Sequence, residues 1–442
     1  MKVSLIHGKY FNSWEALGLG YIGAYIRKHL PDVEVNFFQG CFDSDEEIVK
    51  GCAGSDVVAF SCTTPTFPHA VELSRRIKRD NPDVWTAHGG YHGSADPTPV
   101  PELDAVVVGE GEAAMVDILN GDRRRLIQGR TMSFDELPWP DRSLIRNERN
   151  IQVAFNDNGL RITSFQSHRA CPFQCKYCLD GFNKVLYPGM SKGVVRYRRP
   201  TDVVNEIKVV SSEYRLDLVK FSDPTWNTNI EWVNEFCSEK IRRGVDILFY
   251  PNIHATMCSP EMMQAMRRAG CHEIAVGVES GSPKILKQIG KGTTLKSIKN
   301  CVVWAKAAGI LVRGYFILGM PEEGHEDLEL TEQLAEELDL AEYGFTILCP
   351  YPGTQMFDRQ AHSQVRWEHT DEYSNDFWAT KYLTNSELKE WQRRLTRRFT
   401  GRLTWHNQVL AAAADSQPQP SQAPPSPEAL PPDNDSVLRV LG

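Results

Sequence analysis

The sequence lacks any run of about twenty apolar residues, which is the length that a membrane-spanning helix needs. Its first residues, MKVSLIHGKYFNSW, contain no apolar segment typical of a signal peptide. Basic residues are in deficit, because 49 lysines and arginines against 57 aspartates and glutamates give a net charge of -8. That balance argues against a large nucleic-acid surface. We therefore expect a cytoplasmic protein that binds neither membrane nor nucleic acid.

An even set of cysteines is also missing. The chain has 11 cysteines, which we expect to be thiols or metal ligands rather than disulfides in a reducing compartment. Three of them, Cys171, Cys175 and Cys178, lie close together in the stretch SHRACPFQCKYC, and no fourth cysteine lies nearby. The spacing C-x3-C-x2-C therefore needs an explanation other than a disulfide set.

Short apolar runs alternate with helical patterns over the N-terminal part of the chain. Runs such as VSLIHG, DVVAFSCTT and DAVVVGEGE are separated by segments such as GYIGAYIRKHL and HAVELSRRIKRD. This alternation predicts an α/β domain with a doubly wound parallel sheet of the Rossmann type. In such a sheet, ligands bind at the carboxyl ends of the strands, so the loops 61–66 and 88–94 are candidate binding loops. Their glycines would equally suit tight turns alone.

The rest of the chain predicts a second α/β unit. FDELPWPDRSLI is rich in proline and acid and is typical of a linker, after which roughly six or seven candidate strands alternate with helices. This pattern predicts a full or partial α/β barrel followed by a helical C-terminal region. The stretch SQPQPSQAPPSPEALPPDNDS is predicted to be disordered. The expected units are residues 1–130, the linker 131–158, the barrel 159–362, the helical extension 363–410 and the Pro-rich tail 411–442.

The three neighbouring cysteines suit more than one kind of site. Thiolates bind zinc and iron–sulfur clusters, and His168 would complete a Cys3His zinc site. Structural zinc sites, however, usually take ligand pairs from separate segments. Ferredoxin-type clusters need four cysteines. The spacing fits a cubane with three irons bound to protein and one open, while zinc binding or simple packing of the cysteines are the alternatives.

The loop ACPFQCKYC resembles the signature of the radical S-adenosylmethionine superfamily. The resemblance implies that Cys171, Cys175 and Cys178 hold a 4Fe–4S cluster. It further implies that S-adenosylmethionine binds the open iron and is cleaved to methionine and a 5′-deoxyadenosyl radical, which abstracts a hydrogen atom. An external electron donor of the flavodoxin or ferredoxin type is then expected.

Three further segments resemble parts of the same family: FSDPTWNTN, GVESGS and GYFILGMPEEG. The family's glutamate in the second segment contacts S-adenosylmethionine, although a glutamate there would also suit a helix N-terminus. In the first segment, relatives often carry two adjacent aspartates, whereas here a proline follows the first. The resemblance implies a pocket for S-adenosylmethionine that contains the residues Tyr177, Asp223, Glu279, Ser280, Phe316 and Leu318.

The N-terminal segments EALGLGYIGAYIRKH, SCTTPT, AHGGYHGS and VVGEGE resemble the cobalamin-binding-type domain that precedes the barrel in one branch of this superfamily. The resemblance implies contacts to cobalamin from Ser61, Thr63, Gly89 and Gly90, unless these residues only form turns and caps. The Asp-x-His-x-x-Gly motif that supplies a cobalt ligand is absent: His7 precedes Gly8, but no aspartate stands two positions before it. Many members of the branch also lack that motif.

The leading hypothesis is a cobalamin-dependent radical S-adenosylmethionine C-methyltransferase that acts on a small biosynthetic molecule. The first alternative is a cyclase, oxidase or rearranging enzyme of the same superfamily without methyl transfer. A more remote alternative is a non-catalytic structural or sensor protein with zinc or an iron–sulfur cluster. A tRNA methylthiotransferase is disfavoured, because Cys41, Cys52 and Cys62 do not form the second cysteine set that such enzymes need. No residue beyond the cofactor sites is singled out as catalytic.

Overall fold

A computed structural model describes residues 1–10, 13–179, 194–362, 364–371 and 375–400. No helix within these residues is long and apolar enough to cross a membrane. The predicted Pro-rich tail 411–442 lies outside the described residues, as do residues 401–410 of the predicted helical extension.

The N-terminal unit is a 6-stranded parallel sheet with the strand order β2-β1-β3-β4-β5-β6. Val3 and Leu5 of the first strand belong to a core on one face, whereas Ile6 belongs to a separate core on the other. The predicted doubly wound sheet is therefore confirmed. Its strands are β1 (Lys2–His7), β2 (Glu34–Gln39), β3 (Val57–Ser61), β4 (Trp85–Gly89), β5 (Ala105–Val108) and β6 (Leu126–Gln128). Its helices are α1 (Leu17–His29), α2 (Asp45–Gly51), α3 (Phe67–Asp80), α4 (Gly90–Ala95) and α5 (Gly111–Leu119).

The segment between the two units is anchored to both of them and includes α6 (Asn147–Asn158). Asp141 bonds to the backbone of Gly20 (N to O, 3.0 Å) in the first unit. The indole of Trp139 donates to Asp202 of the second unit at 2.9 Å. Buried Arg142 pairs with buried Glu206, also in the second unit, at 3.0 Å. This segment therefore fixes the two units against each other.

The second unit is an open arc of parallel strands, so the predicted barrel is a partial one. A 3-stranded sheet (β11-β10-β7) and a 4-stranded sheet (β12-β13-β14-β15) meet at Pro251, which has no N–H to donate. Backbone bonds from His272 to Phe249 (3.0 Å) and from Ala275 to Pro251 (3.0 Å) join them. Among the described strands, β7 and β15 do not pair. The strands are β7 (Ile162–Phe165), β10 (Leu218–Phe221), β11 (Leu248–Tyr250), β12 (Asn252–Ile253), β13 (Glu273–Glu279), β14 (Leu311–Leu318) and β15 (Glu342–Ile347), and a short antiparallel pair is formed by β8 (His168–Arg169) and β9 (Arg196–Tyr197).

Helices cover the outer face of the arc and build the largest apolar core of the protein. The last helix covers the edge strand β15, where Gln392 donates to the carbonyl of Phe345 at 2.8 Å. The helices are α7 (Pro200–Tyr214), α8 (Ile230–Arg242), α9 (Pro260–Arg268), α10 (Pro283–Ile289), α11 (Leu295–Ala307), α12 (His325–Leu338) and α13 (Asn385–Thr400). The inner face of the arc is left for a cavity.

Gly281 is expected to be essential for the packing of the loop that follows β13. A Cβ there would overlap the carbonyl oxygen of Leu330 in α12 and lie 2.6 Å from the Cα of Thr331. Gly281→Ala should therefore lower the free energy of unfolding by about 1–3 kcal/mol, measured by urea denaturation. Gly18→Ala in α1 is the matched control, because no atom lies within 4 Å of its added Cβ, and it should not destabilise the protein. Equal effects of the two substitutions would contradict this packing.

Candidate active site

A cavity of about 1380 Å³ lies between the carboxyl edge of the N-terminal sheet and the inside of the partial barrel. The sheet contributes small residues to it, including Ser61, Gly89 and Gly90. The barrel contributes the cysteine loop. Because both units line the same space, groups bound by one unit lie within reach of groups bound by the other.

The cysteine loop follows β8 directly, and all three of its cysteines line the cavity. The residue before Cys171, Ala170, has a φ of 76°, a left-handed conformation that a non-glycine residue seldom adopts. Backbone bonds hold the loop on the barrel, from Lys176 to Ile289 at 3.0 Å and from Gln355 to Lys176 at 3.1 Å. The loop is therefore built to present its thiols to the cavity.

The donor set fits an iron–sulfur cluster better than one zinc ion. Among the described residues, no three His, Cys, Asp or Glu side chains are arranged to hold a single metal ion. His168 is fully buried, with its Nδ1 3.3 Å from the carboxylate of Asp223, so its pairing differs from that of a Cys3His site. In a cubane each cysteine binds a different iron, which matches three thiols that share a cavity without sharing one metal position.

Glu279 occupies a special backbone position at the end of β13. Its φ is 65°, and the pairing of β13 with β14 shifts between Gly277 and Glu279. The Glu279 carboxylate accepts from the Tyr177 hydroxyl at 2.9 Å and from the Lys291 ammonium at 2.5 Å. A Cβ at position 277 would overlap both the Glu279 and the Lys291 side-chain ends, which explains the glycine there. Backbone strain of this kind concentrates at functional sites.

The pKa values of the two groups that bond to Glu279, Lys291 and Tyr177, are both raised. Burial lowers the pKa of Lys291, but the Glu279 carboxylate outweighs burial, and the net pKa is raised. Burial and the Glu279 charge together raise the pKa of Tyr177 well above its usual value. The phenol therefore stays protonated and donates to Glu279. Both of these bonds engage Oε1 of Glu279, and no described residue bonds Oε2.

Asp223 and Ser280, which are also predicted to contact S-adenosylmethionine, form hydrogen bonds with other protein groups. Asp223 is fully buried and accepts from the backbone N–H groups of Ser167 and His168, each at 2.8 Å. Ser280 is also fully buried, and its hydroxyl lies 3.2 Å from that of Thr331. Neither side chain lines the cavity. They position the segments that lead to Cys171 and away from Glu279.

Phe316 and Leu318 lie on the opposite face of β14 from the cavity. Both side chains are fully buried in the core, where the Phe316 ring stacks on Phe345 with centroids 4.9 Å apart. Side chains alternate along a strand, so the neighbouring residues Tyr315 and Ile317 face the cavity instead. The side chains of β14 that line the cavity are thus those of Tyr315 and Ile317, and contact of S-adenosylmethionine with Phe316 and Leu318 stays a prediction.

Three of the four residues predicted to contact cobalamin line the cavity: Ser61, Gly89 and Gly90. Thr63 does not. Its N–H and its hydroxyl contact the Thr66 hydroxyl at 2.9 and 3.2 Å, so it forms the turn that leads into α3. His7 does not line the cavity either, and burial lowers its pKa to about 4.

The sequence did not single out the ion cluster that joins the two units. Buried Arg169, two positions before Cys171, lies 2.6 Å from Glu112 and 3.2 Å from Glu110. Glu110 also pairs with Arg196 and accepts from the backbone of Met132 at 2.7 Å. Burial alone would raise the pKa of Glu110, but the Arg169 and Arg196 charges lower it. The signal in the sequence was the acidic GEGE stretch after a predicted strand.

The sequence also assigned no role to Phe173, which stacks on His254. The two rings are 3.7 Å apart at an angle of 5°, and His254 Nε2 lies 3.2 Å from the carbonyl of Lys291. Burial lowers the pKa of His254 to about 4, so the ring is neutral near pH 7. This stack ties the cysteine loop to the segment that carries Lys291.

Two known protein families each match one unit of the chain, and relatives over most of its length are also found. Residues 3–119 match the B12 binding domain, and residues 165–335 match the radical SAM superfamily. The chain is 29% identical over 368 residues to the uncharacterized methyltransferase PH0819 of Pyrococcus horikoshii, covering 77% of each chain. It is 24% identical to the anaerobic magnesium-protoporphyrin IX monomethyl ester cyclase of Rubrivivax gelatinosus, covering 81% of this chain and 69% of the cyclase.

Among solved structures, the fold is similar to that of the radical S-adenosylmethionine methyltransferase TsrM from Kitasatospora setae, solved with tryptophan and a SAM analog bound. The TM-score is 0.66 at 17% identity, covering 92% of this chain and 90% of TsrM. The cobalamin-dependent radical enzyme OxsB gives a TM-score of 0.61 at 18% identity, covering 90% of this chain and 61% of OxsB. At these identities the likeness concerns the fold.

Arg169 is expected to be critical for joining the two units. Arg169→Met leaves the buried Glu112 without its cation, which should lower the free energy of unfolding by about 3–5 kcal/mol in urea denaturation. Arg199→Met is the matched control, since Arg199 is 73% exposed and its pair with Asp135 lies on the surface. The control should leave stability unchanged. If Arg169→Met were as stable as the control, the ion cluster would not join the units.

Proposed function

The chain belongs to the radical S-adenosylmethionine superfamily, in the branch whose barrel follows a cobalamin-binding-type domain, and we propose that it is a cobalamin-dependent C-methyltransferase. Its substrate in this proposal is a small molecule. The observation that carries the proposal is the one cavity lined both by the cysteine loop and by the carboxyl edge of the N-terminal sheet. Methyl transfer to carbon needs the radical source and the methyl carrier in one space.

The cofactors are those of the two matched domains: a 4Fe–4S cluster, S-adenosylmethionine and cobalamin. When bound, they supply a 5′-deoxyadenosyl radical that removes a substrate hydrogen and a carrier for the methyl group. The protein supplies positions, charges and exclusion of water. An electron donor of the flavodoxin or ferredoxin type and a cytoplasmic location stay predictions from the sequence.

We assign the cluster to Cys171, Cys175 and Cys178, whose side chains line the cavity. In this proposal Glu279 receives S-adenosylmethionine through Oε2, while Tyr177 and Lys291 hold the carboxylate in place through Oε1. A carboxylate suits an ammonium group or a ribose diol, because it is a strong acceptor.

The remaining site residues divide between contact and support. We propose that Ser61, Gly89 and Gly90 contact the corrin, since small side chains at this edge leave room for a large ring. Asp223 and Ser280 do not line the cavity, and in this proposal they hold the segments next to Cys171 and Glu279 in position. The cavity-facing residues of β14, Tyr315 and Ile317, take the role first assigned to Phe316 and Leu318.

The proposed domain boundaries stay as predicted from the sequence. The matches over residues 3–119 and 165–335 fall within the first and third of these units. We accordingly propose a cobalamin-binding-like domain, a linker, a radical S-adenosylmethionine barrel, a helical extension and a tail, at residues 1–130, 131–158, 159–362, 363–410 and 411–442.

A second candidate function is a radical cyclase, oxidase or rearranging enzyme without methyl transfer. The similarity to a cyclase of Rubrivivax gelatinosus over 81% of this chain favours keeping it. The two candidates differ in their use of S-adenosylmethionine. A methyltransferase forms S-adenosylhomocysteine in addition to 5′-deoxyadenosine, whereas the second candidate forms only the nucleoside.

Protein prepared without air, and supplied with iron, sulfide, cobalamin and a reductant, is expected to retain corrinoid and to convert S-adenosylmethionine into both products. Liquid chromatography with mass spectrometry of the nucleosides is the measurement. Replacing Cys171, Cys175 and Cys178 together by alanine should abolish 5′-deoxyadenosine, while Cys237→Ala, in α8 and away from the cavity, should not. Formation of 5′-deoxyadenosine alone, with no corrinoid retained, would favour the second candidate.

A further inference from the structure

Lys220 is a charged residue of the cavity that forms no ion pair or hydrogen bond with any described residue. Lys220 is partly buried in β10 and lines the cavity. The strand register places it between Ser164 of β7 and Tyr250 of β11, which also line the cavity. Farther along the chain, Thr225 lies 3.6 Å from the Sγ of Cys171. Lys220 therefore lies inside the barrel, on a strand whose following loop contacts the cysteine loop through Thr225.

Most other charged groups that line the cavity have partners. Lys291 pairs with Glu279 at 2.5 Å, and Arg169 pairs with Glu112 at 2.6 Å. Glu15 accepts from the backbone of Ser164 at 2.7 Å. Asp157 lies at the exposed end of α6. Lys220, in contrast, forms no ion pair or hydrogen bond with any described residue, although it is partly buried at the cavity wall.

The environment of Lys220 makes its charge costly. Burial lowers the pKa of Lys220, the Arg313 charge lowers it further, and Glu15 and Glu273 only partly oppose this. Arg313 is itself neutralised by Glu273 at 2.8 Å and Glu342 at 2.6 Å. An ammonium group partly removed from water without an acceptor is unfavourable, and an anionic ligand would supply that acceptor.

Lys240 shows how this fold satisfies a lysine that has only a structural role. Its side chain is buried in the same domain, and its ammonium donates to the carbonyls of Val245 at 2.6 Å and Ala269 at 2.8 Å. Lys220 has no such carbonyl partners among the described residues. The difference indicates that the ammonium group of Lys220 is available to a ligand that enters the cavity.

We propose that Lys220 binds an anionic oxygen group of the substrate, a carboxylate or a phosphate, at the inner wall of the barrel. The substrate is then an organic acid whose anionic end is anchored between Ser164 and Tyr250. The ring of Tyr315 offers an apolar surface to the rest of the molecule. This inference rests on the proposed function, because it names the substrate class of that same cavity. It also requires the reacting carbon to lie between Lys220 and the cysteine loop.

Binding of matched probes to the reconstituted holoprotein tests this inference. Benzoate and phenyl phosphate carry the two anionic groups, and benzamide has the size of benzoate without its charge. Saturation-transfer NMR and calorimetric titration without air should show that at least one of the two anions binds to the wild-type protein. Lys220→Met should weaken that binding by about tenfold or more, because a charged hydrogen bond is lost, and Lys220→Arg should retain it. Which anion binds more tightly identifies the carboxylate or the phosphate.

Lys208→Met is the matched control, since Lys208 is an exposed residue of α7 outside the cavity and loses the same charge. Its affinity for the anions should equal that of the wild-type protein. The cluster absorption spectrum confirms that each variant is folded. The inference is overturned if neither anion binds the wild-type protein at millimolar concentration, if Lys220→Met binds benzoate like the wild type, or if benzamide depends equally on Lys220. These binding measurements need no turnover, so they can fail or succeed independently of the product assay for methyl transfer.

Discussion

The arrangement of this protein depends on one buried ion cluster at the junction of its two units. Arg169 stands two positions before the first cysteine of the loop, and its guanidinium bridges Glu110 and Glu112 at the carboxyl edge of the N-terminal sheet. Charges taken out of water are stable only with close partners, so this cluster selects one relative position of the two units. The loop that presents the thiols is thereby held against the edge that carries Gly89 and Gly90.

Further contacts reinforce that position and close the cavity. Arg142 of the linker pairs with Glu206 under the barrel, and Glu15 of the N-terminal unit accepts from the backbone of Ser164 in β7. The Glu15 contact crosses directly between the two units, and the Arg142 contact ties the linker to the second unit, so the enclosed space depends on all three segments. A cavity shared by two domains allows one domain to generate a substrate radical and the other to supply the methyl group that reacts with it. The contacts that fix the interface between the units therefore also shape the cavity on which the function depends.

The sequence predicted those features that local patterns encode. Apolar runs separated by helical segments were enough for the doubly wound sheet and the partial barrel, because strand and helix periodicities differ. The cysteine spacing singled out the loop, and the family resemblance singled out GVESGS, although the backbone strain at Glu279 appears only in the structure. In contrast, the second half of β14 reads GYFIL, which is apolar on both faces, so its pattern did not reveal that Tyr315 rather than Phe316 faces the cavity. The ion cluster was missed because Glu112 lies 57 residues before Arg169. Asp223 stands after a strand as expected, but only the structure shows that backbone N–H groups occupy its carboxylate.

The central claim is that the cluster and the corrin occupy one cavity. Electron paramagnetic resonance of the reduced, fully loaded protein tests it most directly, because two unpaired spins at short range broaden and split each other's signals. Our account predicts dipolar coupling between the reduced cluster and cob(II)alamin. Two independent signals without coupling, in protein that retains both groups in full, would contradict it.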